Sequence, residues 1–208
     1  MARRSYRQNC ALARASDLIG ERWTLLLVRD LLVAPRRFTE LARSLKGMGT
    51  NLLAARLKEL ESAGIIERQR RDAGTHVYAL TESGRALEPA LLALVRWGLV
   101  YGPENQHGSY HQDDWDLLAL KALFQPELAG DLTVRVQFKT DEFTAWMAID
   151  DQQMTMGMGE GPGAELIVNG TIKDLFMGSG SPDELLISGS TKKLQQFMST
   201  FALPGSPR

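Results

Sequence analysis

The segment spanning residues 50–80 constrains the fold most, because it changes from a helical to an extended pattern around one glycine. Three leucines recur at helical spacing in it: Leu53, Leu57 and Leu60. Gly64 follows at a position where a left-handed backbone ends a helix at little cost. Two β-rich runs, IIERQRR and HVYAL, are then joined by the turn sequence DAGT at residues 72–75. The pattern predicts a helix over residues 50–63 that leads into a basic hairpin.

Three shorter helices are predicted before this segment. From Cys10 to Leu32 the apolar positions recur at helical spacing, with Gly20 between two helices. Pro35 ends the second helix, and the sequence FTELARSL predicts a third with Thr39 as its candidate cap. This element order is that of a winged helix-turn-helix, in which one helix enters the major groove of DNA and the hairpin contacts the flanking backbone.

The leucine stripe leaves the other face of the fourth helix for a partner. Small side chains there let a helix approach a groove closely, and threonine, asparagine and arginine can donate to base edges or phosphates. The arginines of the hairpin and of the preceding helix suit phosphate contacts. The candidate DNA contacts are Arg37, Thr39, Thr50, Asn51, Ala54, Ala55, Arg56, Lys58, Arg68, Arg70 and Arg71.

The charge is divided unevenly along the 208 residues, although the net charge is only −1. Residues 1–98 carry 17 Lys and Arg against 10 Asp and Glu, a net +7, whereas the remainder carries 7 against 15, a net −8. Such an asymmetry indicates a part that faces nucleic acid joined to a part with another task. Two domains are therefore predicted.

Residues 8–98 resemble the HxlR-type transcriptional regulators. The resemblance is carried by CALARASDLIGERWTLLLVRDLL, by PRRFTELARSLKGMGTNLLAARLKELESAGIIER and by YALTESGRAL. These stretches combine an early cysteine, a Gly-x-x-Trp turn, an R-F-x-E-L helix and an L-x-x-R-L-x-x-L-x-x-x-G segment. The resemblance implies a winged helix-turn-helix protein that binds double-stranded DNA and dimerises through its terminal helices.

A fifth helix is predicted from TESGRALEPALLALVRWG and ends near Trp97. Four apolar positions share one side of it: Leu87, Leu91, Leu94 and Val95. We expect this helix to pack against a second copy of the chain. A homodimer would read an inverted-repeat operator whose half-sites lie about one turn, roughly 10 bp, apart.

The pattern changes again after Asp114. A linker rich in Gly, Pro, Asn and Asp covers residues 99–112, and the second domain is predicted over 113–208 beside a first domain over 1–98. DWDLLALKALF predicts a short helix, and five stretches predict strands: DLTVRVQF, EFTAWMAID, QQMTMGMG, AELIVNGT and DELLISGS. The fold class is α+β: a winged helix-turn-helix domain followed by a domain of about five strands with helices on one face.

The second domain resembles the sterol-carrier-protein family, because a strand, a glycine and a helix follow one another twice in ELIVNGTIKDLF and DELLISGSTKKLQQF. This resemblance implies an apolar cavity, which the many methionines of this part also suit. Alternation along the strand places Trp146 on the face opposite Met147. The predicted lining for an apolar small-molecule effector is Val136, Phe138, Phe143, Met147, Phe176 and Phe197.

Cys10 has two interpretations. The resemblance implies a thiol sensor, which would require a lowered thiol pKa from nearby arginines and a helix N-terminus, whereas the alternative is a small buried residue. A metal site at His107 and His111 lacks further ligands. GMGEGPG is interpreted as a flexible hairpin loop and not as a dinucleotide fingerprint.

The sequence predicts a protein that is not an enzyme and needs no cofactor or metal, because no catalytic constellation is present. One cysteine and an N-terminus without a continuous apolar stretch predict a cytoplasmic protein with no membrane segment. The leading hypothesis is a dimeric transcriptional regulator that senses an apolar small molecule. The alternative is an apolar-ligand carrier, of the kind that handles lipids, whose helical domain only mediates protein contacts.

Overall fold

The computed structural model describes residues 5–71, 74–103, 109–141, 143–178 and 181–202. The chain forms two compact units, the N-terminal unit (Met1–Leu91) and the C-terminal unit (Leu92–Arg208). Within the described ranges, no helix combines the length and the apolar character needed to cross a membrane.

Four helices and a hairpin form the first part of the chain, and two further helices follow. The elements are α1 (Ala11–Ile19), α2 (Thr24–Val33), α3 (Phe38–Ser44), α4 (Thr50–Ser62), β1 (Ile66–Arg70), β2 (His76–Leu80), α5 (Glu82–Arg85) and α6 (Glu88–Tyr101). β1 and β2 pair antiparallel and form the wing. The predicted order of a winged helix-turn-helix is confirmed.

One apolar core holds the N-terminal unit together. The predicted stripe of α4 is fully buried in it, and both strands of the wing contribute to it at the base of the hairpin, where Ile66 pairs with Leu80. The core residues are Leu27, Val28, Leu31, Leu41, Leu45, Met48, Leu53, Leu57, Leu60, Ile65, Ile66, Leu80 and Leu91. Because the stripe of α4 is narrow, burying it leaves the rest of the helix surface exposed.

The end of α4 is formed as the sequence predicts. Gly64 has a φ of +69°, and the backbone N–H of Ile65 donates to the carbonyl oxygen of Leu60 at 3.0 Å. This is the pattern in which a left-handed residue just after a helix satisfies its last carbonyl groups. The helix therefore stops one residue before the predicted limit and turns directly into β1.

The beginning of α3 differs from the prediction. Arg37, and not Thr39, is the cap residue, and Thr39 lies within the first turn of the helix. The Glu40 carboxylate accepts a hydrogen bond from the backbone N–H of Arg37 at 2.6 Å. The glutamate side chain reaches back to the start of the helix, which is half of a capping box, so a threonine cap is not needed.

The predicted fifth helix is two helices. Thr81 caps α5, since its hydroxyl accepts from the backbone N–H of Gly84 at 3.1 Å, and α5 ends at Arg85. The next helix, α6, begins at Glu88. Pro89 suits its first turn, because backbone N–H groups there have no acceptor within the helix and proline has no N–H. α6 continues to Tyr101, so the predicted end at Trp97 is wrong and the predicted linker begins with helical residues.

The C-terminal unit is a five-stranded sheet with helices. Its elements are α7 (Trp115–Leu123), α8 (Pro126–Ala129), β3 (Val134–Lys139), β4 (Thr144–Asp150), β5 (Gln153–Met158), β6 (Leu166–Asn169), α9 (Ile172–Met177), α10 (Pro182–Leu185), β7 (Leu186–Ser188) and α11 (Thr191–Met198). The strand order is β5-β4-β3-β6-β7, with only β3 and β6 parallel among these pairs. The predicted α+β fold class is confirmed, although DELLISGS begins with a helical turn before its short strand.

One face of this sheet carries the apolar core of the unit. Val136 pairs with Met147 and with Leu166 across neighbouring strands, so all three side chains lie on the same face. The buried residues of this face are Val134, Val136, Phe138, Ala145, Met147, Ile149, Met154, Leu166 and Val168. Trp146 lies on the opposite face, as alternation predicts, because it pairs with Gly157 and Gln137.

The connection from β5 to β6 is not the flexible hairpin that GMGEGPG was expected to form. β5 lies at the sheet edge and β6 lies beside β3, so residues 159–165, the strap, cross over β4 and β3. The buried side chain of Gln137 donates to the carbonyl oxygen of Gly159 at 3.0 Å and accepts from the N–H of Gly161 at 2.8 Å. A Cβ on Gly161 would lie 2.5 Å from the Cβ of Trp146, so only glycine allows this approach.

Candidate DNA-binding face and apolar pocket

The exposed side of α4 forms the candidate recognition face. Burial of Leu53, Leu57 and Leu60 turns the intervening positions outward. The five residues of this recognition face are exposed, as predicted: Thr50, Asn51, Ala54, Ala55 and Lys58. The two alanines have short side chains, and hydrogen-bond donors lie on either side of them along the helix. This arrangement suits close approach to base edges.

Arg56 is held by the protein itself. Its Nη1 lies 2.5 Å from a carboxylate oxygen of Glu59, and its Nη2 lies 3.4 Å from one of Glu21. The Arg56 side chain is only 12% exposed. Glu21 could not be predicted as a partner, because nothing in the spacing shows that the α1–α2 connection lies next to α4.

The wing presents three exposed arginines. Arg68 and Arg70 alternate along β1, opposite Tyr78 and His76, and Arg71 follows the strand. The backbone N–H of Arg71 donates to the carbonyl oxygen of Thr75 at 2.7 Å, which closes the hairpin. Asp72 and Ala73 of the predicted turn lie outside the described residues. The guanidinium groups are placed on an exposed ribbon, as phosphate contacts require.

The segment before α3 joins the wing. The backbone N–H of Arg36 donates to the carbonyl oxygen of Tyr78 at 3.0 Å, and the backbone N–H of Tyr78 donates to the carbonyl oxygen of Arg36 at 2.8 Å. This bridge adds a third extended segment to the hairpin. Arg37 and Thr39, both exposed, are therefore positioned at the start of α3 by the wing as well as by the helix.

A buried carboxylate connects α2 to α3. Asp30 is fully buried, accepts a hydrogen bond from the hydroxyl of Ser44, and accepts another from Nε of Arg29 at 2.9 Å. No role for Asp30 was predicted from the sequence. Its position within the run DLLV was the available signal, because a charge among core leucines needs partners.

The C-terminal unit contains an apolar pocket of about 340 Å³. It lies at α7, α9 and the end of α6. Its lining residues are Leu99, Asp116, Ala119, Leu120, Leu123, Ile172, Lys173, Phe176, Met177, Phe201 and Ala202. Of the six residues predicted to line an effector cavity, Phe176 borders this pocket, whereas Val136, Phe138, Phe143, Met147 and Phe197 are buried in the core of the unit. The ligand role of those five stays a prediction.

The sequence of the part that carries the recognition face and the wing is similar to known proteins. A family model described as HxlR-like helix-turn-helix matches residues 18–106. The HTH-type transcriptional regulator YodB of Bacillus subtilis (strain 168) is 36% identical over 85 residues, which are 40% of this chain and 76% of YodB. The chain belongs to the HxlR-like helix-turn-helix family.

Other similar proteins match the same part of this HxlR-family chain. Rv3095 of Mycobacterium tuberculosis, an HTH-type transcriptional regulator, is 42% identical over 95 residues, which are 45% of this chain and 60% of Rv3095. The chain thus spans less than two thirds of that relative's length. The solved reduced form of YodB from B. subtilis is 30% identical with a TM-score of 0.40, and the match covers 48% of this chain and 100% of YodB.

Cys10 of this HxlR-family chain is exposed and caps α1. The alternative that it is a small buried residue is therefore wrong, and its role as a thiol sensor stays a prediction. His107 lies outside the described residues, and His111 pairs with Asp116, its Nε2 lying 3.1 Å from the carboxylate. In the described part of the chain, no cluster of three His, Cys, Asp or Glu side chains is arranged to hold a metal ion.

Proposed function

We propose that this HxlR-family protein is a homodimeric, sequence-specific DNA-binding transcriptional regulator that acts in the cytoplasm. The observation that carries the proposal is the exposed recognition face of α4, which adjoins the basic wing through the turn at Gly64. The similar proteins named above as HTH-type transcriptional regulators support it. The net +7 of residues 1–98 supports it further, because neutralised phosphates dominate affinity for DNA.

The contacts divide into two kinds in this proposal. Thr50, Asn51 and Lys58 offer donors to base edges and to the adjacent phosphates, while Ala54 and Ala55 allow the close approach. Arg37, Thr39, Arg68, Arg70 and Arg71 contact the backbone of the flanking DNA. Arg56 acts through Glu21 and Glu59, since its guanidinium is already occupied, and orients α4 instead of contacting a phosphate.

The proposed dimer forms on α6, but not on the whole side predicted from the sequence, because Leu91 is buried in the core of the N-terminal unit and Leu87 packs against that core. Three aromatic or aliphatic side chains share one stripe of this helix and are 51%, 60% and 71% exposed: Leu94, Trp97 and Tyr101. An exposed stripe of this kind indicates a protein contact. We expect sedimentation to show a dimer at micromolar concentration, and Trp97→Glu to shift it to a monomer. A wild-type monomer at that concentration would remove the dimer and its inverted-repeat operator from the proposal.

The C-terminal unit is proposed to sense an apolar small molecule, with domains at 1–98 and 113–208 and a linker at 99–112. The repeated strand, glycine and helix support the resemblance to sterol carriers, because Gly170 and Gly189 have φ of +154° and +117° at equivalent turns. The net −8 of this part argues against a role in gripping DNA. Sensing requires that the ligand bind one DNA-binding geometry better than another.

A gel shift with DNA from upstream of the gene, repeated over a series of salt concentrations, tests the proposal. We expect specific binding. The logarithm of the association constant should fall linearly with the logarithm of the salt concentration, with a slope of about −0.9 for each phosphate that the protein neutralises. An apolar-ligand carrier with a helical protein-contact domain would show no such binding. A chain that binds lipid but no DNA would therefore favour the alternative.

A further inference from the structure

The pocket at α7 and α9 has the features of a binding site for one chemical class of ligand. We propose that it takes an amphiphilic cation, a molecule with an apolar tail and a basic or quaternary nitrogen, and that Asp116 binds the nitrogen. This inference rests on the proposed sensing function only for its regulatory role. The binding site itself is argued from the residues of the C-terminal unit.

The pocket is lined mainly by apolar groups. Its wall consists of leucine, isoleucine, alanine, methionine and phenylalanine side chains around a volume of about 340 Å³. This is the lower end of the volume range of small-molecule sites, where a few polar groups set the orientation of an otherwise apolar ligand. A tail of about ten carbon atoms or a small aromatic group fits such a space.

Two aromatic rings in the wall favour a positive charge. The centroids of Phe176 and Phe201 lie 5.3 Å apart, and their planes meet at 87°. Both rings line the pocket, and ring faces carry the negative part of the quadrupole. A quaternary or protonated nitrogen is attracted to such a face, whereas a carboxylate is repelled by it.

Asp116 supplies the opposite charge within the pocket. Its carboxylate is 20% exposed and pairs with Nε2 of His111 at 3.1 Å. Burial raises the pKa of Asp116, while His111 and Lys173 lower it and Asp113 raises it further. Since the effect of burial exceeds that of the positive neighbours, the ionised carboxylate is incompletely compensated, and a cationic ligand would supply the missing charge.

Lys173 is the competing feature of the same pocket. It also lines the opening and would attract an anionic ligand. Its side chain is exposed, however, and a lysine side chain can turn its ammonium group into water, whereas the short side chain of Asp116 is fixed on the first turn of α7. The rings and the carboxylate therefore decide the sign of the ligand.

Calorimetry on the full-length protein with three probes of equal chain length tests this inference: decyltrimethylammonium, decanoate and decanol. We expect the cation to bind about tenfold more tightly than decanoate, and Asp116→Asn to remove most of that difference without weakening decanol. Asp131→Asn is the matched control, because Asp131 is an exposed carboxylate of the same unit that does not line the pocket. Ala119→Leu should weaken all three probes by filling the space.

Several results would overturn the inference. Preference for decanoate that Lys173→Gln abolishes would assign the opposite ligand charge, and unchanged cation binding in Asp116→Asn would remove the carboxylate from the site. Loss of the dimer in Ala119→Leu, measured by sedimentation, would make the pocket a protein interface. Thermal unfolding of each variant confirms that it is folded.

The regulatory role is tested separately, by measuring the affinity for DNA with and without decyltrimethylammonium. Binding of the cation that leaves DNA affinity unchanged would support the site and overturn its role as a sensor. Binding of the cation by a protein that does not bind DNA at all would support the site and overturn the proposed regulator.

Discussion

The helix α4 of the N-terminal unit and the central strands of the C-terminal unit differ in how much of their surface is exposed. In the N-terminal unit, α4 buries only a narrow leucine stripe and presents the rest of its surface to solvent. In the C-terminal unit, β3 and β4 are covered on one face by apolar side chains, while the strap covers Gln137 and Trp146 on the other. The exposed face of α4 in the N-terminal unit is thus accessible to a large partner, whereas the C-terminal unit offers a pocket at its helices.

The comparison predicts that the two units can be damaged independently. Phe138→Ala should reduce the free energy of unfolding of the C-terminal unit by about 3–5 kcal/mol, because it leaves a large cavity beside fully buried neighbours. DNA binding should persist, since the recognition face belongs to the other unit. Urea unfolding and a gel shift measure the two effects, and Met177→Ala, at a side chain that is 79% exposed, is the control. Loss of DNA binding in a folded Phe138→Ala protein would contradict independence.

The buried charge of the N-terminal unit should matter almost as much. Asp30→Ala leaves the hydroxyl of Ser44 and the guanidinium of Arg29 without this carboxylate, and we expect a loss of about 3 kcal/mol in unfolding free energy. Asp30→Asn should cost less, because an amide oxygen can still accept from Ser44. Equal stability of wild type and Asp30→Ala in thermal unfolding would show that this contact does not hold α2 to α3.

The recognition face and the wing should differ in what they contribute to binding. Asn51→Ala should change base preference at a cost of about 1–3 kcal/mol, whereas Arg70→Ala should weaken binding to all sequences and reduce the salt slope by about 1. Competition gel shifts with operator variants separate the two effects. Arg135→Ala, which removes an arginine from the sheet of the C-terminal unit, is the charge-matched control. Unchanged operator affinity in both variants would exclude this surface as the DNA-binding site.

The smallest expected effect concerns the first turn of α9. The backbone N–H and the hydroxyl of Thr171 donate to Asp174 at 2.7 and 2.8 Å, and these hydrogen bonds lower the pKa of Asp174 below 3.8. The carboxylate therefore contributes stability that is present above pH 3.8 and is lost as the pH falls through the lower folded pKa. Thr171→Ala should cost about 0.5–1 kcal/mol at neutral pH, because it removes the hydroxyl that bonds Asp174, and it should reduce this pH dependence without removing it, because the backbone N–H of residue 171 still donates. Asp174→Asn should remove the pH dependence, and an Asp174→Asn protein whose stability changes below pH 3.8 as that of the wild type does would exclude the capping contact.

The sequence by itself determined the features that depend on local spacing. The leucine stripe of α4, the stop at Gly64, the basic hairpin and the alternation that separates Trp146 from Met147 all follow from one helical or extended period. The family resemblance followed from the same local motifs. These features could be predicted because neighbours in the chain decide them.

Tertiary structure decided the features that join distant residues. Glu21 meets Arg56 across 35 positions, and Gln137 holds Gly161 across 24. The cap of α3 is a local feature that the sequence pattern missed, because Glu40, only three residues away, turns back toward Arg37. The pocket is likewise formed by residues from Leu99 to Ala202, and five of the six side chains predicted to line a cavity are packed into the core. Periodicity shows which face of an element is buried, but the space left between packed faces depends on how all the side chains fill it.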